Sequence, residues 1–252
     1  MSINNLDRFQ KKIAAGQICL GTVITLSDFT VSELAADCGM DFTWIDAEHA
    51  PFSLENIAAH IMALRGTNCA PFVRVAWNDL AIIKPVLDLA PAGVIIPMVN
   101  NAEEAHKAVE ACRYPPIGRR GCGVRRANKY GKIPFPEYLK ISESEPLVII
   151  QIEHKEAVEN LDEILKVPGI DSICIGPYDL SGSYGKLGQT DDPEVVEAIE
   201  TICQKTLQSG LLLGTASAPY ELWEKRGVHW IALSSDCAGM IGNYRKIVED
   251  CK

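Results

Sequence analysis

The stretch FTWIDAEHAP, residues 42–51, opens as an apolar, β-rich run and closes on Asp46, Glu48 and His49. A strand that only had to stop would pass into Gly, Asn or Pro. This one delivers two acids and a histidine instead. Its apolar part is continuous rather than alternating, the pattern of a strand covered on both faces, as in a parallel sheet. The pattern recurs in ICLGTVI (18–24), APFVRV (70–75), GVIIPMV (93–99), LVIIQIE (147–153), SICIG (172–176), LLLGTAS (211–217) and WIALSSD (230–236).

Segments of helical period separate these runs. LSDFTVSELAADCG is expected to be capped by Ser27 and stopped at Gly39, and SLENIAAHIMALRG to run from Ser53 to Gly66. NDLAIIKPVLDLAP begins at Asn78 or Asp79 and ends before Pro91, and NAEEAHKAVEACRYPP is halted by Pro115 and Pro116. DDPEVVEAIETICQKTLQSG has Pro193 in its first turn and Gly210 at its end. Caps and breakers fall where the periodicity places helix ends. Eight strands alternating with helices, without a Gly-rich dinucleotide fingerprint after the first, predict an α/β fold. It is a single (β/α)8 TIM barrel over residues 1–252 rather than an open Rossmann sheet.

The formal charge of −9 and the pI near 5.1 speak against nucleic acid or an anionic membrane as partner, since both need a basic face. The N-terminal MSINNLDRFQKK has no apolar core of a secretory signal, and no apolar run approaches the length of a membrane span. Nine cysteines, with no CxxC pair, read as small hydrophobes of a reduced, cytoplasmic protein.

In such barrels the chemistry collects at the C-terminal ends of the strands. Strand two ends at Asp46, Glu48 and His49; strand three holds Arg74; strand five finishes on Gln151 and Glu153; strand six runs into GPYDLSGS with Asp179; strand eight ends at Asp236. Charges inside apolar runs are costly unless paired or bound to a metal. Glu153 and Asp179 leave neighbouring strands, and two carboxylates with few other ligands suit Mg²⁺ or Mn²⁺, with Co²⁺ a further option. A proton-sharing acid/base pair is the alternative. His49 has the pKa range of a general base. Its acidic partner would be Asp88, whose other expected contact is an i,i+4 pair with Lys84, or Asp46 from behind, acting through metal-bound water. Arg74 would face a developing oxyanion, and the turn Gly176-Pro177-Tyr178 offers backbone N–H groups to a carboxylate. No apolar run contains a lysine, which counts against a Schiff-base mechanism.

WIDAEHAP, APFVRVAWND, GVIIPMV, RYPPIGRRG, LVIIQIE and CIGPYDLSGSYG together resemble the metal-dependent class II pyruvate aldolases of the HpcH/HpaI family. The resemblance covers nearly the whole chain. It implies a barrel of the phosphoenolpyruvate/pyruvate type, a hexamer with the last helix exchanged between subunits, and reversible cleavage to pyruvate and a small aldehyde. Carried onto matching positions, it implies His49 as base, Asp88 as the acid that raises its basicity, and Arg74 as the enolate-stabilising residue. Glu153 and Asp179 become the metal ligands, and Gln151 with the backbone at Tyr178 and Asp179 the pyruvate contacts. GTVITL, Tyr178 and GTASAPY depart from the family pattern, so the aldehyde is left open.

Two other readings keep the barrel: a CoA-ester lyase or a 2-oxo acid decarboxylase. A CoA substrate needs a phosphate pocket, which only the basic stretch 119–132 could supply. That stretch, within the excursion 114–140, is otherwise expected to be a solvated or subunit-bridging loop.

Overall fold

All eight apolar runs become parallel strands in the computed structural model, which describes residues 4–252. They are β1 (Cys19–Ile24), β2 (Phe42–Asp46), β3 (Ala70–Arg74), β4 (Gly93–Ile96), β5 (Leu147–Ile152), β6 (Ser172–Ile175), β7 (Leu212–Ala216) and β8 (Trp230–Ser235). Each pairs with the next, and β8 pairs with β1, so the sheet closes into a barrel in chain order.

Large and small side chains alternate inside it. Phe42, Phe72 and Trp230 fill the interior because Gly21, Gly93 and Gly214 lie against their rings; a Cβ on Gly93 would sit 2.8 Å from the Phe72 ring. The N-terminal end is sealed by α1 (Leu6–Ala14), whose Leu6 and Phe9 are fully buried. Phe9 meets Phe72 and Phe42 edge-on at 5.1 and 6.1 Å between ring centroids. Only the C-terminal end of the barrel is left to hold a site among the strand ends.

The surrounding helices are α2 (Thr30–Asp37), α3 (Leu54–Ala63), α4 (Leu80–Asp88), α5 (Ala102–Cys112), α6 (Phe135–Ser142), α7 (Lys155–Glu159), α8 (Leu161–Ile164), α9 (Pro177–Ser183), α10 (Pro193–Ser209), α11 (Tyr220–Lys225) and α12 (Asp236–Asp250). Their apolar faces and the outward residues of the strands form the larger core. Ser53 caps α3 in a reciprocal box with Asn56, and Asp79 caps α4 by accepting from the Ala81 N–H at 2.6 Å. Ser27 does not cap α2. That helix begins later, after Phe29, and Asp28 accepts from the Thr30 N–H at 2.9 Å.

The excursion 114–140 has a small core of its own, formed by Tyr114, Ala127 and Tyr138 with Ala90. Arg120 is buried, lies 4.6 Å from the centre of the Tyr114 ring, and donates to the Leu87 carbonyl at 3.1 Å. Arg126 donates to the Leu89 carbonyl at 2.9 Å. These cations serve the C-terminal end of α4, where carbonyls lack helical partners and the helix dipole favours positive charge. The stretch therefore sits toward the sealed end of its own barrel, away from the strand C-termini.

No residue of α12 is buried. Met240, Ile241, Tyr244, Ile247 and Val248 form an exposed apolar stripe along it. Among the described residues, no helix is long and apolar enough to cross a membrane.

Candidate active site

The site follows from the register of the inward-facing positions. On β2 they are Phe42, Trp44 and Asp46, and on β3 Ala70, Phe72 and Arg74; the β2–β3 pairing sets Asp46 directly opposite Arg74. The Arg74 guanidinium grips Asp46 twice, Nε to Oδ1 at 2.9 Å and Nη2 to Oδ2 at 2.6 Å. Its Nη1 lies 3.0 Å from Glu48 Oε2, and its head stacks 5.1 Å from the centre of the Trp44 ring. Asp46 also fixes the turn that follows, its Oδ1 accepting from the Glu48 and His49 N–H groups at 3.1 and 3.3 Å. The turn that carries Glu48 and His49 and the guanidinium of Arg74 are thus tied to one carboxylate.

Burial works against the Arg74 charge, but the hydrogen bonds and charges of Asp46 and Glu48 outweigh it and hold the guanidinium firmly protonated. Glu48 moves the other way: burial pushes its carboxyl up, more than Arg74 and His49 pull it down. Glu48 Oε2 stands 3.8 Å from His49 Nε2, and the His49 ring is mostly exposed at the mouth.

Glu153 follows β5 and is almost fully buried. Its Oε1 accepts from the Met98 N–H at 2.8 Å, and its Oε2 from Gln151 Nε2. Burial lifts its carboxyl to about 7; the nearby charges of Glu48 and Asp179 add to that, against the Met98 N–H and Arg74. Gly176 makes this packing possible, because a Cβ there would lie 2.5 Å from Glu153 Oε2. Asp179 stands exposed in the first turn of α9, and Gln151 Oε1 is buried without a hydrogen-bond partner.

Trp44, His49, Arg74, Gln151 and the run Gly176–Asp179 line one cavity of about 350 Å³ at the barrel mouth, with Val23, Ile175 and Ala216 as its apolar wall. The structure thus brings His49, Arg74, Gln151, Glu153, Gly176, Pro177, Tyr178, Asp179 and Asp46 to one region. Asp88 is not there. It is the last residue of α4, toward the sealed end, and its Oδ1 accepts from Arg120 Nη2 at 3.2 Å rather than pairing with Lys84. Asp236 is also apart from the cluster: it accepts from the Thr25 and Leu26 N–H groups, both at 2.8 Å, and ties β8 to the loop after β1. Trp44 and the Met98 N–H escaped the sequence reading. The first looked like core, and the second is a backbone group on a residue with φ 54°, which no side-chain pattern announces.

A divalent cation fits this donor set. Glu153 is a buried carboxylate held by donors yet short of positive charge, Asp179 is near enough to raise it further, and Gln151 Oε1 is an orphaned oxygen beside it. Among the described residues, no three His, Cys, Asp or Glu side chains converge as a complete cage. Two carboxylates match a hard cation that keeps waters or takes ligand oxygens.

The profile of the HpcH/HpaI aldolase/citrate lyase family matches residues 24–241. The hydroxypyruvate/pyruvate aldolase of Roseobacter denitrificans is 33% identical over 252 residues, covering 98% of each chain. The 4-hydroxy-2-oxo-heptane-1,7-dioate aldolase of Escherichia coli is 39% identical over 216 residues, covering 85% of this chain and 82% of that one. The crystal structure of an HpcH/HpaI aldolase from Desulfitobacterium hafniense superposes with a TM-score of 0.90 at 30% identity, covering 96% of both chains. With a closed eight-stranded barrel, a mouth built from the motif residues and relatives of this kind, the chain belongs to the HpcH/HpaI aldolase/citrate lyase family and is a lyase of the aldolase kind.

Proposed function

We propose that the protein cleaves a 4-hydroxy-2-oxo acid reversibly to pyruvate and a small aldehyde, using a divalent cation, Mg²⁺, Mn²⁺ or Co²⁺, held by Glu153 and Asp179. The observation that carries this reading is Glu153: a buried carboxylate lifted to about 7, bonded to the cavity-lining Gln151 and close enough to feel the charges of Arg74 and Asp179. When bound, the cation would polarise the keto oxygen of the 2-oxo acid.

The chain's own groups supply the rest. Arg74 is pre-oriented, since two of its five N–H donors are held by Asp46 and its Nη1 is ion-paired with Glu48 at 3.0 Å, while its remaining donors stay available to an oxygen in the cavity it lines. A cation fixed in that way stabilises the enolate oxygen without reorganising during the reaction. His49 takes the proton of the 4-hydroxyl as the C3–C4 bond breaks and the aldehyde forms. The protonated imidazole then returns that proton to C3 of the enolate, giving pyruvate and regenerating the base. Glu48 stands beside the His49 ring. The Tyr178 and Asp179 N–H groups in the first turn of α9, with Gln151, receive the pyruvate carboxylate, while Gly176 and Pro177 shape the turn that presents them.

Asp88 can act on His49 only across a subunit boundary, because the two lie apart in one chain. The exposed apolar stripe of α12 supports an oligomer, a hexamer with that helix exchanged on the family's pattern, and the nine unpaired cysteines fit a reducing cytoplasm. The basic stretch 119–132 is engaged at the sealed end of its own barrel, which weighs against the CoA-ester reading.

The test is pyruvate release from racemic 4-hydroxy-2-oxo acids of varied chain length, with Mn²⁺ and after EDTA. Release that depends on the metal and is lost in Glu153→Gln is expected. Release that survives EDTA would overturn the metal-dependent reading.

A further inference from the structure

A second cavity, of about 340 Å³, lies toward the sealed end of the barrel, between the start of α1, the loop after α3, the turn after α4 and the basic excursion. Among the described residues, four cations line it: Arg8, Arg65, Arg126 and Lys129. Arg8 is answered by Asp41 at 3.2 Å, and Arg126 donates only to carbonyls, at Leu89 and Ile61. Arg65 and Lys129 have no ion pair among the described residues, and Asp7 is the one acid of the lining. Like charges brought together in this way repel, and an acidic protein has many places where they could have been separated.

The backbone singles out the same place. Five described residues other than glycine have a positive φ: Asn5 (56°), Ala90 (59°), Met98 (54°), Lys129 (53°) and Tyr130 (57°). Met98 serves Glu153 at the barrel mouth. The other four all line this cavity. Left-handed backbone on alanine, lysine and tyrosine is disfavoured, and such conformations gather where a site demands them.

We propose that this cavity binds a small multivalent anion, an oxyanion such as phosphate or a compact di- or tricarboxylate, at a site separate from the barrel mouth. Arg65 and Lys129 would supply the unpaired charge, and Arg126, already fixed by two carbonyls, a pre-positioned guanidinium.

The test is calorimetric titration of the full-length protein with inorganic phosphate and, separately, with citrate, at constant ionic strength and in excess Mg²⁺ so that chelation does not contribute. Saturable binding of at least one probe is expected, persisting in Arg74→Ala and in the presence of saturating pyruvate. The double variant Arg65→Gln/Lys129→Asn should weaken it by at least about tenfold. Asn tolerates the left-handed backbone at 129, and unchanged thermal unfolding of the variant without anion would confirm an intact fold. Phosphate binding alone identifies an oxyanion site, and citrate binding alone a carboxylate site. Failure of both probes to bind, competition by pyruvate, or undiminished binding in the double variant would overturn the proposal.

Discussion

Arg74 and Asp46 face each other across the β2–β3 register, and the guanidinium holds the carboxylate through two hydrogen bonds of 2.9 and 2.6 Å. The pair is buried, with Glu48 as a second counter-charge at 3.0 Å from Arg74 Nη1. Replacing Asp46 with Ala leaves a buried cation half-answered and also removes the acceptor for the Glu48 and His49 N–H groups. We expect a loss of about 3 kcal/mol in urea unfolding together with a large fall in kcat. An unchanged unfolding midpoint would mean that Glu48 alone suffices to hold Arg74.

The stability of the metal-free protein should depend on pH through Glu153. Burial raises its carboxyl from 4.5 to about 7, so between those values the folded state binds more protons than the unfolded one. Stability in EDTA therefore falls as pH rises through that window, by on the order of 3 kcal/mol. Glu153→Gln removes the titrating group. It should flatten the decline and leave the metal-free protein more stable than the parent at pH 8, while abolishing activity. Urea midpoints at pH 5 and pH 8 decide this, and an equal decline in the variant would place the pH dependence elsewhere.

Gly176 is a packing requirement at the proposed metal site. The Cβ of Gly176→Ala would fall 2.5 Å from Glu153 Oε2 and 2.9 Å from Gln151 Nε2. Both side chains must shift, so Mn²⁺ affinity, followed by electron paramagnetic resonance, should fall at least about tenfold with the fold retained. Unaltered affinity would argue that Glu153 does not hold the metal.

Asp88 offers a test of assembly. His49→Ala and Asp88→Ala should each be nearly inactive if Asp88 supports the His49 of another subunit. Subunits of the two variants, mixed and reassembled, would then regain activity that neither has alone. Continued inactivity of the mixture, with mixed oligomers demonstrated, would confine Asp88 to its contact with Arg120.

The strands, and the gathering of most candidate residues at one barrel mouth, were readable because both rest on local pattern. Continuous apolar runs mark strands buried on both faces, and an acid at the end of such a run has few explanations. Register was not readable. Asp46 looked like a residue behind His49, whereas strand pairing sets it against Arg74. Asp236 looked like a mouth residue, but its oxygens are consumed by Thr25 and Leu26. The sealing role of α1 was missed because two buried side chains, Leu6 and Phe9, leave no long apolar run. Arg120 resembled surface charge and is buried over Tyr114, a contact between residues whose adjacency depends on the path of the excursion.

The most direct measurement is the exchange of pyruvate methyl protons in D₂O, followed by NMR with Mg²⁺ or Mn²⁺, then with EDTA, in the parent protein and in His49→Ala. It needs no knowledge of the aldehyde. Exchange that requires the metal and falls by about 10²–10⁴ in the variant is expected if His49 moves the proton. Absence of exchange with either metal, or full exchange in His49→Ala, would contradict enolate chemistry driven from this histidine.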